Sequence, residues 1–423
     1  MISRWNWVIS LLTRRLWFKA ALYGVVAVAT ALFAAFASPW VPESVSSVFG
    51  ADSVGDVLKI LASSMLAVAT FSLGTMVSAF SAAASTATPR ASLLLVEDST
   101  SQNVLSTFIG AFIFGLVGLI ALNSHFYGEG GRAILFFVTI GVIALTLATF
   151  FRWIDYLSHL GRLGETIDKV EAAAAKAMRA RCRSPFLGGR RALALPPKAF
   201  PIKIDAFGYV QHLDTGLLND VAGKAGGAVH VARLPGAFVD PFEPVGWTTW
   251  EPSDGQRKEL IDAFLIGKAR SFDQDPRFGM IVLSEIASRA LSPGINDPGT
   301  AIDIIGRVVR VIAILSETLS DQAREIACEN VFVPPIATSD IFDDVFTPIA
   351  RDGAGTVEVA IRLQKAFRTL VRMDKTDIAQ NAIRHSRLAA KRSAAALELK
   401  EDKAAIETLA ADVGSAVVIS SNN

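Results

Sequence analysis

Four apolar stretches dominate the first 151 residues, at roughly 20–60, 60–88, 104–123 and 133–151. Each contains a window long enough to cross a hydrocarbon core of about 30 Å as a helix. The first run, Ala20 to Ala37, is too long for a typical signal-peptide core, and three more runs follow it. It therefore reads as a retained helix ended by Ser38-Pro39, with Trp40 placed at an interface. The second run carries no charge from Ile60 to Pro89, about 45 Å of helix. Such a helix must tilt, break or protrude. Thr88-Pro89 then opens a short helix over Arg90–Val96. In the third run Ala111, Gly115 and Gly118 are spaced for close helix approach. The fourth lies between Arg132 and Arg152, and its helix is expected to continue to about Ala180 as a stalk rich in alanine at Ala172–Ala175.

The pattern then changes. Arg183 to Pro201 is rich in Gly, Pro and Arg and reads as a linker. Strands are expected at Phe207–His212, Ala228–Arg233, Phe238-Val239 and Val245–Trp250, with a helix capped by Asp214 running to Lys224. Gly223, Gly226 and Gly227 read as its C-terminal stop. From Asp254 the periodicity is helical, over about 254–269, 278–291, 298–319, 339–351, 355–373 and 376–410.

The expected fold is an α-helical polytopic membrane protein with four transmembrane helices, both termini cytoplasmic, and a mostly helical cytoplasmic α+β domain. Its parts would be a transmembrane domain over 1–151, a stalk over 152–183, a β-rich module over 184–253, a helical domain over 254–410 and a flexible tail over 411–423. Charge supports this division: 13 charged side chains precede Arg152, and 68 follow from there. Arg4, Arg14, Arg15 and Lys19 flank the first run. Arg152, Arg162, Lys169, Lys176, Arg179, Arg181 and Arg183 follow the last. Basic flanks at both outer ends of an even number of spans put both termini inside.

Charge also removes function classes. Thirty-four Lys/Arg balance 34 Asp/Glu from Arg152 onward, so no basic excess exists to recruit nucleic acid. Cys182 and Cys328 are far apart and read as reduced thiols. None of the five histidines (125, 159, 212, 230, 385) has metal-ligand spacing, and no phosphate-loop, dinucleotide or nucleophile-elbow motif occurs. Asp343-Asp344 reads as a solvated charge pair. No catalytic set, metal or cofactor is expected.

Two groups remain as candidate sites. Ser64, Phe71, Ser72, Thr75, Ser78 and Ser85 fall within about 140° of one face of the second helix. Such a stripe can line a water path gated by Phe71, or it can simply pack helices while hydroxyls bond their own backbone. The second group surrounds the string from Arg289 to Ala301, R-A-L-S-P-G-I-N-D-P-G-T-A. Pro293-Gly294 stops one helix, and Asp297 with Pro298 starts the next. Arg289, Ser292, Asn296 and Asp297 would meet at this corner, with Asp273, Asp275 and Arg277 upstream as partners for ligand binding or assembly.

This string, the four runs, the Ser85–Arg90 segment and Gly208-Tyr209-Val210-Gln211 together resemble a bacterial family of predicted membrane proteins of unknown function. The resemblance implies a polytopic membrane protein and brings no activity with it; the location expected for the chain is the bacterial inner membrane. Two readings follow. The first is a homo-oligomeric channel lined by the second helix, with the cytoplasmic domain as its regulator. The alternative is a membrane-anchored sensor or scaffold whose cytoplasmic domain binds a small molecule, an ion or a partner.

Overall fold

A computed structural model describes residues 16–36, 51–96, 98–124, 129–192, 194–195, 197–317, 326–373 and 377–420. The Trp40 interface anchor, the three N-terminal arginines, His125 and the end of the helix expected to reach 319 lie outside them. The chain divides into two compact units, one ending at Thr166 and the other running from Ile167.

The first unit is helical: α1 Leu16–Phe36, α2 Ala51–Thr86, α3 Pro89–Val96, α4 Ser99–Asn123 and α5 Glu129–His159. Three helices among the described residues are long and apolar enough to cross a membrane: Ser53–Thr86, Ser99–Asn123 and Gly130–His159. The middle one is the hub, with 56% of its apolar window buried against 28% and 17% for the others. Ala27, Val54, Leu58, Leu61, Phe114 and Leu135 form one core cluster, drawn from α1, α2, α4 and α5. The small residues of α4 do what their spacing predicts. A Cβ on Gly115 would come within 3.0 Å of the Ala62 Cβ and 3.1 Å of the Leu58 carbonyl, so α2 and α4 touch backbone to backbone.

The uncharged second run neither breaks nor stops at the bilayer thickness. α2 is one helix of 36 residues, about 54 Å long. It begins nine residues before Ile60 and takes in Asp52, Asp56 and Lys59. The stalk differs from expectation. α5 ends at His159, Gly161 turns the chain at φ +83°, and α6 restarts over Leu163–Arg183.

The second unit opens with α6 from Ile167 and continues as β1 Arg190–Arg191, β2 Phe200–Ile202, β3 Gly208–Leu213, α7 Thr215–Ala225, β4 Val229–Val231, β5 Phe238–Val239, β6 Gly246–Thr248, α8 Asp254–Asp262 and β7 Phe264–Gly267. Helices α9 Pro276–Ala290 and α10 Pro298–Glu317 follow, then β8 Val331–Val333, α11 Thr338–Asp352, α12 Val357–Met373, α13 Asp377–Ala396 and α14 Lys400–Ser420. The strands form a five-stranded sheet in the order β1-β8-β4-β6-β2 and a three-stranded sheet in the order β5-β3-β7. Asp214 caps α7 by accepting from the Leu217 amide at 3.0 Å, and Gly226 ends it at φ +65°.

Four expectations fail here for tertiary reasons. The supposed linker supplies β1 and β2; β1 pairs in parallel with β8, from more than 130 residues later. The helix expected over 254–269 stops at Asp262, because Phe264–Gly267 completes the smaller sheet against β3. The helix expected over 376–410 is two: Leu397 turns inward beside Ala360 and Ile406 between α13 and α14. Finally, the expected tail is helical to Ser420, with Val413 fully buried.

Candidate functional site

The hydroxyl stripe on α2 divides between environments. Ser72 is fully buried, one turn from Ala69 and Met76, which pack on Val104, Leu105, Phe108 and Trp153. Its Oγ has no hydrogen-bond partner. Ser64 and Thr75 are half-buried, while Phe71, Ser78 and Ser85 are exposed, Phe71 at 67%. Three hydroxyls donate to carbonyls of their own helix: Ser64 to Leu61 at 3.1 Å, Thr75 to Ser72 at 2.8 Å and Ser85 to Ala82 at 2.7 Å. Back-bonding of this kind satisfies a hydroxyl inside an apolar helix without water.

The second candidate group does not form one corner. Asp275 caps the N-terminus of α9, whereas Arg289 sits at its far end, about 20 Å away along 15 residues. At that far end the R-A-L-S-P-G-I-N-D-P string builds a well-bonded turn. Ser292 Oγ donates to the Arg289 carbonyl at 2.6 Å, the Asn296 amide to the Ser292 carbonyl at 2.9 Å, and the Asp297 amide to the Ala290 carbonyl at 2.8 Å. Asn296 takes φ +51°. Asp297 then caps α10 through the Thr300 amide and hydroxyl, and those bonds hold its carboxyl below the usual range. All of this is what a helix-to-helix turn needs.

Asp275 and Arg277, at the near end of α9, belong to a different arrangement. Asp275 is 2% exposed and is met by four nitrogens, three of them donating hydrogen bonds. Arg270 Nε and Nη2 each lie 2.7 Å from its Oδ2. The Arg277 and Phe278 amides reach its Oδ1 at 3.1 and 3.2 Å. Burial nonetheless raises the Asp275 carboxyl, with Arg270 and the two amides opposing. Arg277 pairs with Asp344 through Nε and Nη2, and with Asp340 through Nη1 at 2.6 Å. Burial works against the charge on Arg277, but Asp344 and Asp340 more than offset it and its pKa is raised. The acidic pair expected to be solvated is thus engaged: Asp344 by Arg277, and Asp343 by Arg384 and His385.

Arg181, in the last turn of α6, shares a cavity wall with these groups. It is only 6% exposed, and its Nε and Nη2 have no hydrogen-bond partner. Burial pulls its guanidinium down to about 10, with Asp275 opposing, so it stays charged near neutrality. A cavity of about 230 Å³ is lined by Arg181, Gly236, Arg270, Asp275, Arg277 and Asp340, among others. Gly236 has φ +93°, and a Cβ there would land on the Asp275 carboxylate. A second cavity, of about 280 Å³, is lined by Arg181, Asp214, Thr215, Asp273 and Gln274 with apolar neighbours. Arg181 therefore borders both. In the sequence it reads as one more basic flank of a membrane helix, and no spacing distinguishes it from Arg179 or Arg183. Among the described residues no group of His, Cys, Asp and Glu could hold a metal ion.

The model of a family described as predicted membrane protein (DUF2254) matches residues 13–369. An uncharacterized protein of Mycobacterium bovis is 26% identical over 244 residues, which is 54% of this chain and 46% of that protein. An uncharacterized protein of Mycobacterium tuberculosis is 28% identical over 247 residues, with the same two shares. The match thus spans about half the length of these curated relatives. No solved structure matches the chain. With most of its length matched by that one model, the chain belongs to the DUF2254 family of predicted membrane proteins.

Proposed function

We propose that this protein is a membrane-anchored receptor: its apolar helices hold it in the bilayer, and its α+β unit binds a small ligand beside Arg181. The carrying observation is a buried guanidinium with unpartnered donors that borders two cavities. A buried charge without a partner is costly, and a pocket with a few convergent polar groups is where small ligands bind. In this reading α1 is a fourth span beside the three apolar helices. On this reading both termini and the α+β unit lie in the cytoplasm, which the basic flanks favour. The test is a thermal-shift screen of neutral, cationic and anionic metabolites against the full chain in detergent, with hits mapped by hydrogen exchange. A ligand should slow exchange over 177–184. A panel in which nothing protects that segment ends the receptor reading.

A second reading is an oligomeric permeation pathway, supported by the exposure of Phe71, Ser78 and Ser85 along α2. Back-bonding of three stripe hydroxyls gives it less support than the cavities give the first. Ion flux in liposomes tests it, and silence for both cations and anions would remove it.

A further inference from the structure

We propose that the cavity between Arg181, Arg270 and Arg277 takes a small oxyanion, a phosphate or carboxylate group, on the Nε–Nη2 edge of Arg181. The inference rests on the receptor reading and narrows it to a ligand chemistry.

Nε and Nη2 lie on one edge of the guanidinium plane and present two parallel donors, a geometry that fits two oxygens of one carboxylate or phosphate. The chain supplies its own example. The same edge of Arg277 grips both oxygens of Asp344, at 2.7 and 3.1 Å. On Arg181 that edge meets no acceptor. The carboxylate lining the cavity nearest in kind, Asp275, is already taken by two guanidinium nitrogens and two amides.

Charge selects the cavity. The first is lined by three arginines against Asp275 and Asp340, and Asp344 behind Arg277 brings the sum to neutral. The second sets Arg181 against Asp214 and Asp273, a surplus of one negative charge. An anion therefore belongs on the Arg270–Arg277 side. A volume of about 230 Å³ is below the span usual for drug-sized ligands, so the group is small or enters as the end of a larger molecule. Nε and Nη2 of Arg181 are themselves buried, so in this proposal the anion reaches them by turning the side chain toward the cavity.

The experiment is thermal unfolding of the full chain in detergent, titrated with inorganic phosphate, acetate and chloride at matched ionic strength. Arg181→Met and Arg181→Lys are run beside the unaltered protein. Phosphate or acetate should raise the unfolding temperature saturably, by roughly 5 °C at a hundred times Kd, and chloride should not. Arg181→Met should lose that increment while unfolding in chloride at a temperature no lower than the parent. Arg181→Lys keeps the charge without the fork and should need at least about tenfold more phosphate. A short-chain phosphatidate arm distinguishes sources: a larger shift than phosphate assigns the group to a lipid headgroup, and a smaller one to a free solute. Equal oxyanion shifts in Arg181→Met and parent, or none in either, overturn the proposal. So does a marked loss of stability of Arg181→Met in chloride, which would make Arg181 a structural partner. If neutral metabolites protect 177–184 while every oxyanion fails, this inference falls and the receptor reading stands.

Discussion

Arg277 holds Asp344 with Nε and Nη2 at 2.7 and 3.1 Å, fastening the first turn of α9 to the middle of α11. Nη1 of the same residue reaches Asp340 one turn away at 2.6 Å. The pairing fixes the wall of the Arg181 cavity to the helical half of the unit.

Replacing Arg277 with Ala should therefore destabilise the second unit by about 2 kcal/mol, because two carboxylates lose their shared cation in a partly buried site. Urea unfolding followed by circular dichroism checks it. The conservative Arg277→Lys should recover only part of the loss, since a single ammonium cannot span both oxygens of Asp344.

Gly279 faces α6 with no space to spare: a Cβ there would sit 2.5 Å from the Ala174 Cβ. Gly279→Ala should lower stability by about 1–3 kcal/mol by overpacking the α6–α9 contact. The pair Gly279→Ala with Ala174→Gly should recover much of it. A thermal-melt double-mutant cycle gives the coupling directly.

His385 is 1% exposed among Phe342, Phe346 and Phe367, with Asp343 Oδ1 3.0 Å from its Nε2. Burial first, then Arg384, pull its pKa down to about 4, against the opposing pull of Asp343. The unfolded chain titrates near 6.5, so between those values the unfolded state binds more protons and stability rises with pH. The contribution is complete above about 6.5 and is lost progressively as pH falls toward 4, up to about 3 kcal/mol. The difference in unfolding free energy between the parent and His385→Gln should narrow by about 2.5 kcal/mol between pH 7.5 and 4.5.

In the first unit Tyr156 donates to Asp98 Oδ2 at 3.0 Å and accepts from Ser101 Oγ at 2.9 Å. Asp98 in turn caps α4 through the Ser101 amide. Trp153 stacks on the Tyr156 ring with centroids 5.6 Å apart. Tyr156→Phe keeps the stacking and removes the hydroxyl, and should cost about 1 kcal/mol, read as a lower melting temperature in detergent.

What the sequence made legible follows from how local each signal is. Long apolar runs, the Asp214 and Asp297 caps, the Gly226 stop and the small residues of α4 all act within a turn or between adjacent helices. Each was readable. The strands at 190–191, 200–202 and 331–333 exist because distant segments pair, and no short window of sequence contains that information. The candidate group is divided for the same reason. Asp275 and Arg277 were singled out by their nearness to the R-A-L-S-P-G-I-N-D-P string, yet α9 carries them to the opposite end from it. The Arg277 partners Asp340 and Asp344, and Arg181 in the same cavity wall, come from elements more than 60 residues away in either direction. Arg181 is chemically unusual only because folding buries it; along the chain it is one arginine among several.

The most direct measurement is isothermal titration of inorganic phosphate into the full chain in detergent, at fixed ionic strength, with Arg181→Met alongside. Saturable heat approaching one phosphate per chain in the parent, and none in Arg181→Met, is the predicted result. Identical isotherms from the two proteins would contradict it.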